Sequence, residues 1–173
     1  MPTTSKVNAD KLQEALLSLK DGAGCWAFIA GSGTGSMVTL DFGGKVARLR
    51  PLKNRHVSED ARNYKGEYCL FLQHCAWRIE SADEVICSSS SSNHHGGPML
   101  RGLQRLIGQR VSEATVHAPS FDLVLQFGNG LRLSIFCVVG IDDWDNYTFH
   151  TGSHIYASTY NGHLEESLRD TVS

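Results

Sequence analysis

The sequence predicts an α+β fold in which antiparallel β-strands outnumber two short helices. Three observations lead to this prediction: one hairpin with two-residue alternation, two runs with helical spacing, and a series of alternating segments joined by short polar turns. Strands that follow one another through short turns usually pair with each other. We therefore expect helices packed on one side of mostly antiparallel sheet.

The clearest hairpin occupies residues 121–136. Apolar side chains recur at every second position of both arms, at Leu123, Leu125 and Phe127 and then at Leu131, Leu133 and Ile135. This period is typical of a strand with one buried face. The arms are joined by Gly128, Asn129 and Gly130, residue types that tolerate positive φ and favour a tight turn.

A weaker version of this hairpin lies at residues 37–46, with the same Phe-Gly step at its turn. Further on, residues 77–88 align without gaps to residues 147–158. Each half also opens with a run of helical spacing, at residues 12–19 and 99–107. Three segments that recur in the same order predict an internal duplication of an α-β-β-β-β-β unit. A chance likeness between two amphipathic hairpins is the alternative.

The predicted duplication sets the domain boundaries. Residues 1–88 are the first repeat unit, residues 89–98 a Ser/His/Gly linker, and residues 99–173 the second repeat unit. The composition of the linker cannot form a core, so we expect a mobile connection. A chain of 173 residues is also long enough for one domain in which both units share a core, and this alternative stays open.

Three other stretches have patterns that predict local structure. Residues 66–80 are the longest strand candidate, because apolar side chains on both faces are typical of a central strand. Residues 31–36 predict a flexible hairpin connection and not a phosphate loop, because a strand pattern follows them and phosphate loops precede a helix. Residues 164–173 predict a short amphipathic helix or a frayed tail.

Composition and charge exclude several classes of protein. Contents of 41% hydrophobic and 20% charged residues are typical of a globular chain, and a net charge of −2 does not favour general binding to nucleic acid. The amino terminus lacks the apolar run of a signal peptide, and no apolar stretch reaches the ~18 residues of a membrane helix. We therefore expect a cytoplasmic protein that binds neither nucleic acid nor membranes, of undetermined oligomeric state.

The cysteine pattern favours free thiols. The five cysteines are Cys25, Cys69, Cys75, Cys87 and Cys137. An odd number without a CxxC pair favours buried thiols in a reducing compartment over disulfides or a zinc cluster. No catalytic residue is predicted, because the sequence has no Gly-x-Ser-x-Gly elbow and neighbouring residues on a strand, such as His74 and Cys75, point to opposite faces.

Four side chains define a candidate metal site. His150 and His154 flank a turn with the spacing of one half of a zinc site. The aligned positions of the first repeat are Glu80 and Glu84. If a twofold axis relates the repeats near these turns, two imidazoles and two carboxylates converge on a metal ion. Solvated turn residues are the simpler interpretation, and we predict no cofactor.

A second candidate site is an acidic turn with aromatic residues. Its members are Asp142, Asp143, Trp144, Asp145 and Tyr147. The alternating ligands of an EF-hand are absent, so a charged surface turn is a simpler interpretation than a calcium site. Aromatic residues are enriched at interface hot spots, and we therefore predict that these five residues form a binding surface.

Residues 68–80, 103–111 and 122–133 carry a resemblance to a group of small bacterial proteins. They are similar to uncharacterised proteins suspected to be immunity partners of polymorphic toxins. The resemblance implies a protein partner, and it carries over no functional residue because the shared motifs are strands and turns. We therefore predict a non-enzymatic protein-binding module. The alternatives are a metal-dependent enzyme or metal-binding protein and a small-ligand-binding protein with a pocket between the repeats.

Overall fold

The computed structural model describes residues 3–20 and 23–170 and has the α+β fold that the sequence predicts. The helices are α1 (Ala9–Lys20), α2 (Glu59–Asn63) and α3 (Pro98–Gln104). The strands are β1 (Ser5–Val7), β2 (Cys25–Ile29), β3 (Val38–Ala47), β4 (Tyr64–Leu72), β5 (Ala76–Glu80), β6 (Val85–Ser88), β7 (Val111–His117), β8 (Asp122–Phe127), β9 (Arg132–Phe136), β10 (Asp145–His150), β11 (His154–Thr159) and β12 (Leu164–Leu168). Within the described ranges, no helix has the length and apolar character required to cross a bilayer.

The strands form two antiparallel sheets. The larger sheet has seven strands in the order β1-β12-β11-β10-β4-β3-β2, and the smaller has five in the order β6-β5-β9-β8-β7. Each sheet takes strands from both halves of the chain, because β1 to β4 join β10 to β12 and β5 and β6 join β7 to β9. One large cluster of buried apolar side chains includes residues of both sheets and of α1. The two halves of the chain therefore share one core.

The first helix covers an open edge of the smaller sheet. Three leucines at helical spacing on its inner face are fully buried: Leu12, Leu16 and Leu19. Between them, Gln13 Nε2 donates to the Ala114 carbonyl at 2.6 Å, and Gln13 Oε1 accepts from the Val116 N–H at 2.8 Å. The amide of Gln13 thus satisfies backbone groups of β7, the edge strand.

The predicted hairpin at residues 121–136 is confirmed by β8 and β9. Leu123 of β8 lies opposite Ile135 of β9, and both side chains are buried. Gly130 closes the turn with a φ of 83° and donates its N–H to the Phe127 carbonyl at 3.0 Å. The alternation and the glycine-rich turn therefore specify this element locally.

The predicted second hairpin at residues 37–46 is wrong, because these residues form the single strand β3. β3 pairs with β2 on one side and with β4 on the other. The step at Gly43 and Gly44 shifts the register between Phe42 and Lys45 without reversing the chain, and Gly43 has a φ of 75°. Glycine suits a β-bulge as well as a turn. The internal duplication is therefore not confirmed.

The longest predicted strand is two strands, β4 and β5, which belong to different sheets. The backbone bends between them at residues 73–75, which we call the β4–β5 joint. There the N–H groups of Gln73 and His74 donate to the carbonyls of Asn146 and Asp145 at 2.9 and 3.2 Å. Both strands are central in their own sheets, which explains the apolar residues on both faces of the sequence pattern.

The glycine-rich segment at residues 31–36 connects the paired strands β2 and β3, as predicted. Asn93 Nδ2 donates to the carbonyls of Gly31 and Gly35, both at 2.9 Å. The segment predicted as a mobile linker, residues 89–98, is thus hydrogen-bonded to this loop.

Residues 77–88 and 147–158 are both hairpins, formed by β5 with β6 and by β10 with β11. Residues 164–168, predicted as part of a short helix or a frayed tail, instead form β12, which pairs with β11 and β1. Backbone partners on both sides stabilise an extended conformation here. The last part of that prediction, residues 171–173, lies outside the described residues.

Candidate functional site

An exposed apolar loop connects β9 to β10. Its apolar members, which we call the Trp144 surface, are Val138, Val139, Ile141 and Trp144. Ile141 has a relative accessibility of 103%, Val139 of 77% and Trp144 of 47%. Single exposed apolar residues are common on proteins, but a group of them in one short loop is typical of an interaction site.

The indole of Trp144 is held by two other rings. It stacks on His74 with ring centroids 4.2 Å apart and an interplanar angle of 24°, and Tyr160 meets it edge-on at 5.7 Å. The Tyr160 hydroxyl donates to the His74 carbonyl at 2.6 Å, and the Tyr160 N–H donates to the Trp144 carbonyl at 2.8 Å. Trp144 therefore has a defined orientation with about half of its side chain open to solvent.

The base of the loop is held by one buried amide. Asn146 Oδ1 accepts from the Val138 N–H at 2.8 Å, and Asn146 Nδ2 donates to the Val138 carbonyl at 3.0 Å. Asn146 is itself buried. This reciprocal pair reproduces the hydrogen bonds of a strand partner and fixes where the loop leaves β9.

Acidic side chains flank the Trp144 surface. Asp142 and Asp143 are exposed, and Asp145 is half-buried at the start of β10. Burial raises the pKa of Asp145 above its usual range, the carboxylates of Glu165 and Asp143 raise it further, and His74 lowers it. Acidic side chains are thus concentrated beside the apolar loop.

Tyr147, predicted as part of the binding surface, lies in the core. Its relative accessibility is 0%, and its hydroxyl donates to the Phe121 carbonyl at 2.7 Å. Tyr147 belongs to β10, an interior strand in which four consecutive residues are buried, whereas Trp144 precedes the strand. Burial raises the pKa of the Tyr147 phenol well above its usual range. Tyr147 is therefore part of the core and is not exposed at the Trp144 surface.

The four residues of the predicted metal site are divided between the sheets. Glu80 and Glu84 belong to the hairpin of β5 and β6, and His150 and His154 to the hairpin of β10 and β11. Residues 3–20 and 23–170 contain no group of three or more His, Cys, Asp or Glu side chains placed to hold a metal ion. The convergence on which the metal hypothesis depends is not seen, because the two hairpins lie in different sheets.

Glu80 and His150 each have other partners. Arg132 Nε donates to Glu80 Oε1 at 2.7 Å, and Arg78 Nε donates to Glu80 Oε2 at 2.8 Å. The hydrogen bond from Arg132 is the main reason that the pKa of Glu80 is lowered. His150 Nε2 lies 3.0 Å from Thr148 Oγ1, and burial lowers the pKa of His150 to about 4.

Glu84 and His154 lie at the ends of their turns. The Glu84 carbonyl accepts from the Ser81 N–H at 2.9 Å. His154 Nδ1 lies 2.7 Å from Ser153 Oγ, and its Nε2 lies 3.9 Å from Glu166 Oε1. These contacts are typical of polar residues that stabilise turns.

Strand pairing places three reactive side-chain types in one row of the larger sheet, which the sequence analysis did not identify. Asp41 of β3 lies opposite Cys69 of β4, and Cys69 lies opposite His150 of β10. A thiol, an imidazole and a carboxylate are the groups of a cysteine nucleophile. However, burial and the charge of Asp41 raise the pKa of Cys69 to about 12, so the thiol is protonated at neutral pH. The row therefore lacks an activated nucleophile.

All five cysteines, each within the described ranges, are free thiols. Burial raises the pKa of every one of them, to about 11 for Cys87 and to about 12 for Cys25, Cys69, Cys75 and Cys137. Protonated thiols in apolar surroundings behave as small hydrophobic side chains. Cys25, Cys75 and Cys87 belong to the large buried cluster and contribute to its packing, and Cys137 packs against it.

No family model, curated protein or solved structure matches this chain.

Proposed function

We propose that this protein is a non-enzymatic binding module whose partner is another protein that contacts the Trp144 surface. The observation that carries the proposal is the exposure of Ile141 and Val139 beside an indole held in place by His74. Exposed apolar groups in contact with water are unfavourable by about 25 cal/mol per Å² of apolar area. A partner that covers this loop removes that unfavourable exposure.

The flanking charges indicate the chemistry of the partner. Asp142, Asp143 and Asp145 lie next to the apolar loop. A complementary partner has an apolar hollow for Ile141 and Trp144, with Lys or Arg residues at its rim. The immunity-like role implied by the sequence resemblance is one form of this function, in which the partner is a toxin.

The test begins with affinity capture from cell extract, and each captured protein is then purified and titrated by calorimetry. Trp144→Ala is expected to weaken binding by at least about 1 kcal/mol, or roughly fivefold, because tryptophan is a typical hot spot. Ile141→Asp is expected to weaken binding more strongly, since it places a charge in the apolar contact. Because acidic rim residues steer a basic partner, association should also slow as ionic strength rises.

Leu49→Asp is the matched control for Ile141→Asp. Leu49 is also strongly exposed and lies in the loop that follows β3, outside the Trp144 surface. Equal affinity for wild type, Trp144→Ala and Ile141→Asp would remove this loop from the interface and contradict the proposal. Weakening by Leu49→Asp alone would place the interface elsewhere on the molecule.

A further inference from the structure

A cavity of about 610 Å³ lies beside β2, the edge strand of the larger sheet. Its walls come from three stretches that are distant in sequence: β2, residues 56–58, and residues 95–107 with α3. It shares no lining residue with the Trp144 surface. Its volume falls within the roughly 300–1,000 Å³ of small-molecule sites.

Apolar side chains form most of the wall. Trp26 and Phe28 come from β2, while Leu100 and Ile107 come from α3 and the turn after it. A wall that combines aromatic and aliphatic side chains suits a flat or aliphatic group. The apolar part of a ligand therefore has a defined place.

The ionisable side chains that line the cavity are all basic, while Ser58 and Gln104 add neutral side chains that both donate and accept. Arg101, His56 and His95 all line it, and the two imidazole centroids are 6.2 Å apart. Arg101 Nη1 donates to the Gly96 carbonyl at 2.6 Å, which positions a guanidinium that has five N–H donors in total. Among the described residues, no carboxylate lines this cavity. The charge in the cavity therefore favours an anion, although the chain as a whole has a net charge of −2.

The indole of Trp26 has a buried donor and a charged neighbour. Its indole N–H is buried and has no acceptor among the residues that the structure describes. Buried polar groups without a partner are rare in folded proteins, and each one requires an explanation. The Lys45 ammonium lies 5.1 Å from the centre of the same indole, and it is paired with the Asp60 carboxylate at 2.6 Å, so this pair adds no net charge beside the ring. The buried N–H itself is not accessible from the cavity, so Trp26 contributes its apolar ring surface to the wall.

We infer that this cavity binds a small organic anion, one that combines a flat apolar body with a single carboxylate, sulfonate or phosphate group. The apolar body lies against Trp26 and Leu100, and the anionic group faces Arg101 and the two histidines. This site is separate from the proposed protein interface, and neither depends on the other.

Two fluorescent probes with the same ring system test the inference. Anilinonaphthalene sulfonate has an apolar body and one anionic group, and phenylnaphthylamine has the same rings without the sulfonate. The full-length protein is expected to bind the sulfonate at one saturable site and the neutral probe at least about tenfold more weakly. Arg101→Gln is expected to weaken binding of the sulfonate by about tenfold and to change binding of the neutral probe by less than about twofold.

Lys53→Gln is the control, because it removes an exposed positive charge outside the lining. His95→Gln is a second test variant, which decides the matter if circular dichroism shows that Arg101→Gln is misfolded. Equal binding of both probes to wild type would overturn the inference, since the cavity would then not select an anion. Unchanged binding of the sulfonate to both variants, or the absence of saturable binding, would overturn it as well.

Discussion

Single amide side chains take the place of backbone partners at several positions, of which Gln13 and Asn146 are the clearest examples. Gln13 bonds both to Ala114 and to Val116 at the edge of the smaller sheet, and Asn146 bonds twice to Val138 at the base of the exposed loop. The sequence does not predict either role, because predictions from sequence depend on the spacing of apolar residues, and a single Gln or Asn is not part of that spacing. Each role depends on which backbone the fold brings within hydrogen-bond distance.

The placement of single aromatic residues could be predicted only in part. Trp144 was a correct candidate for an exposed residue, since it lies in an acidic turn. Tyr147 follows it by three positions and is fully buried, because the strand has begun by then and its middle residues are buried on both faces of the sheet. The exact residue at which β10 begins decides the difference, and element boundaries are the least certain part of a sequence-based prediction.

Asp41 and His150 should give stability opposite dependences on pH. Because burial lowers the pKa of His150 to about 4, the unfolded chain takes up its proton first, and the stability contributed by neutral His150 is complete above about pH 6.5 and lost as the pH falls towards 4. Burial raises the pKa of Asp41, so the folded chain takes up that proton first, and the carboxylate destabilises the fold as the pH rises through this pKa.

Urea unfolding of the variants between pH 4 and 7 measures both effects, in a range set by these shifts. His150→Gln should lose the rise in stability that wild type shows between about pH 4 and 6.5. Asp41→Asn, which keeps an oxygen for the Gly66 N–H, should gain most over wild type at the upper end of the range. A wild-type slope retained in His150→Gln would show that other groups titrate there.

Two elements, α3 and β6, meet at a glycine. A Cβ on Gly102 would overlap Cys87 Sγ and lie 3.3 Å from Ile86 Cγ2. Alanine is favoured over glycine in a helix interior by about 1 kcal/mol, but overpacking a core costs about 1–3 kcal/mol. Because the overlap is with a buried side chain, the packing effect is expected to be the larger of the two.

Gly102→Ala is therefore expected to lower the free energy of unfolding by about 1–2 kcal/mol. In a Cys87→Ala background the sulfur is gone, and the same substitution should cost less than half as much. Gly128→Ala is the control, because a Cβ there would approach only the Arg110 carbonyl, at 3.8 Å. Equal losses from Gly102→Ala in both backgrounds, measured by chemical denaturation, would contradict the predicted contact.

Elements specified by neighbouring residues were predicted correctly, and elements specified by distant partners were not. The hairpin of β8 and β9 has its alternation and its turn within one short stretch. The bulge at Gly43 and the β4–β5 joint have patterns that fit a turn and a continuous strand equally well. In the structure, pairing with β4 keeps β3 a single strand across the bulge. Hydrogen bonds to the carbonyls of residues 145–146 hold the bend at the joint. Both lie outside the local segment, so the local sequence contains no signal for them.

At the scale of the whole molecule, the chain crosses between sheets in both of its halves. After β4 the chain passes from the larger sheet to the smaller one, where β5 pairs with β9. After β9 it returns to the larger sheet, where β10 pairs with β4. Apolar residues from both halves are buried in the same cluster. Neither half can complete a sheet by itself.

Residues 1–88 and 89–173, produced as separate fragments, should therefore lack cooperative thermal unfolding and dispersed amide resonances. When co-expressed, the fragments should associate with one-to-one stoichiometry, because together they restore every strand pair. The control is the intact chain cleaved at a protease site inserted among residues 89–92, where both fragments are already in place. A cooperative transition in either isolated fragment would show that one half folds independently.

In the interaction that we propose, the β4–β5 joint would also orient the Trp144 surface towards its partner. His74, on which Trp144 stacks, belongs to the joint, and its carbonyl and N–H are bonded to Tyr160 and Asp145. The indole of Trp144 thus lies where two sheets and two loops constrain one another, so that it would lose little conformational freedom in the proposed interaction. Preorganisation of this kind lowers the entropic cost of association. A small contact area can then be sufficient for specific recognition.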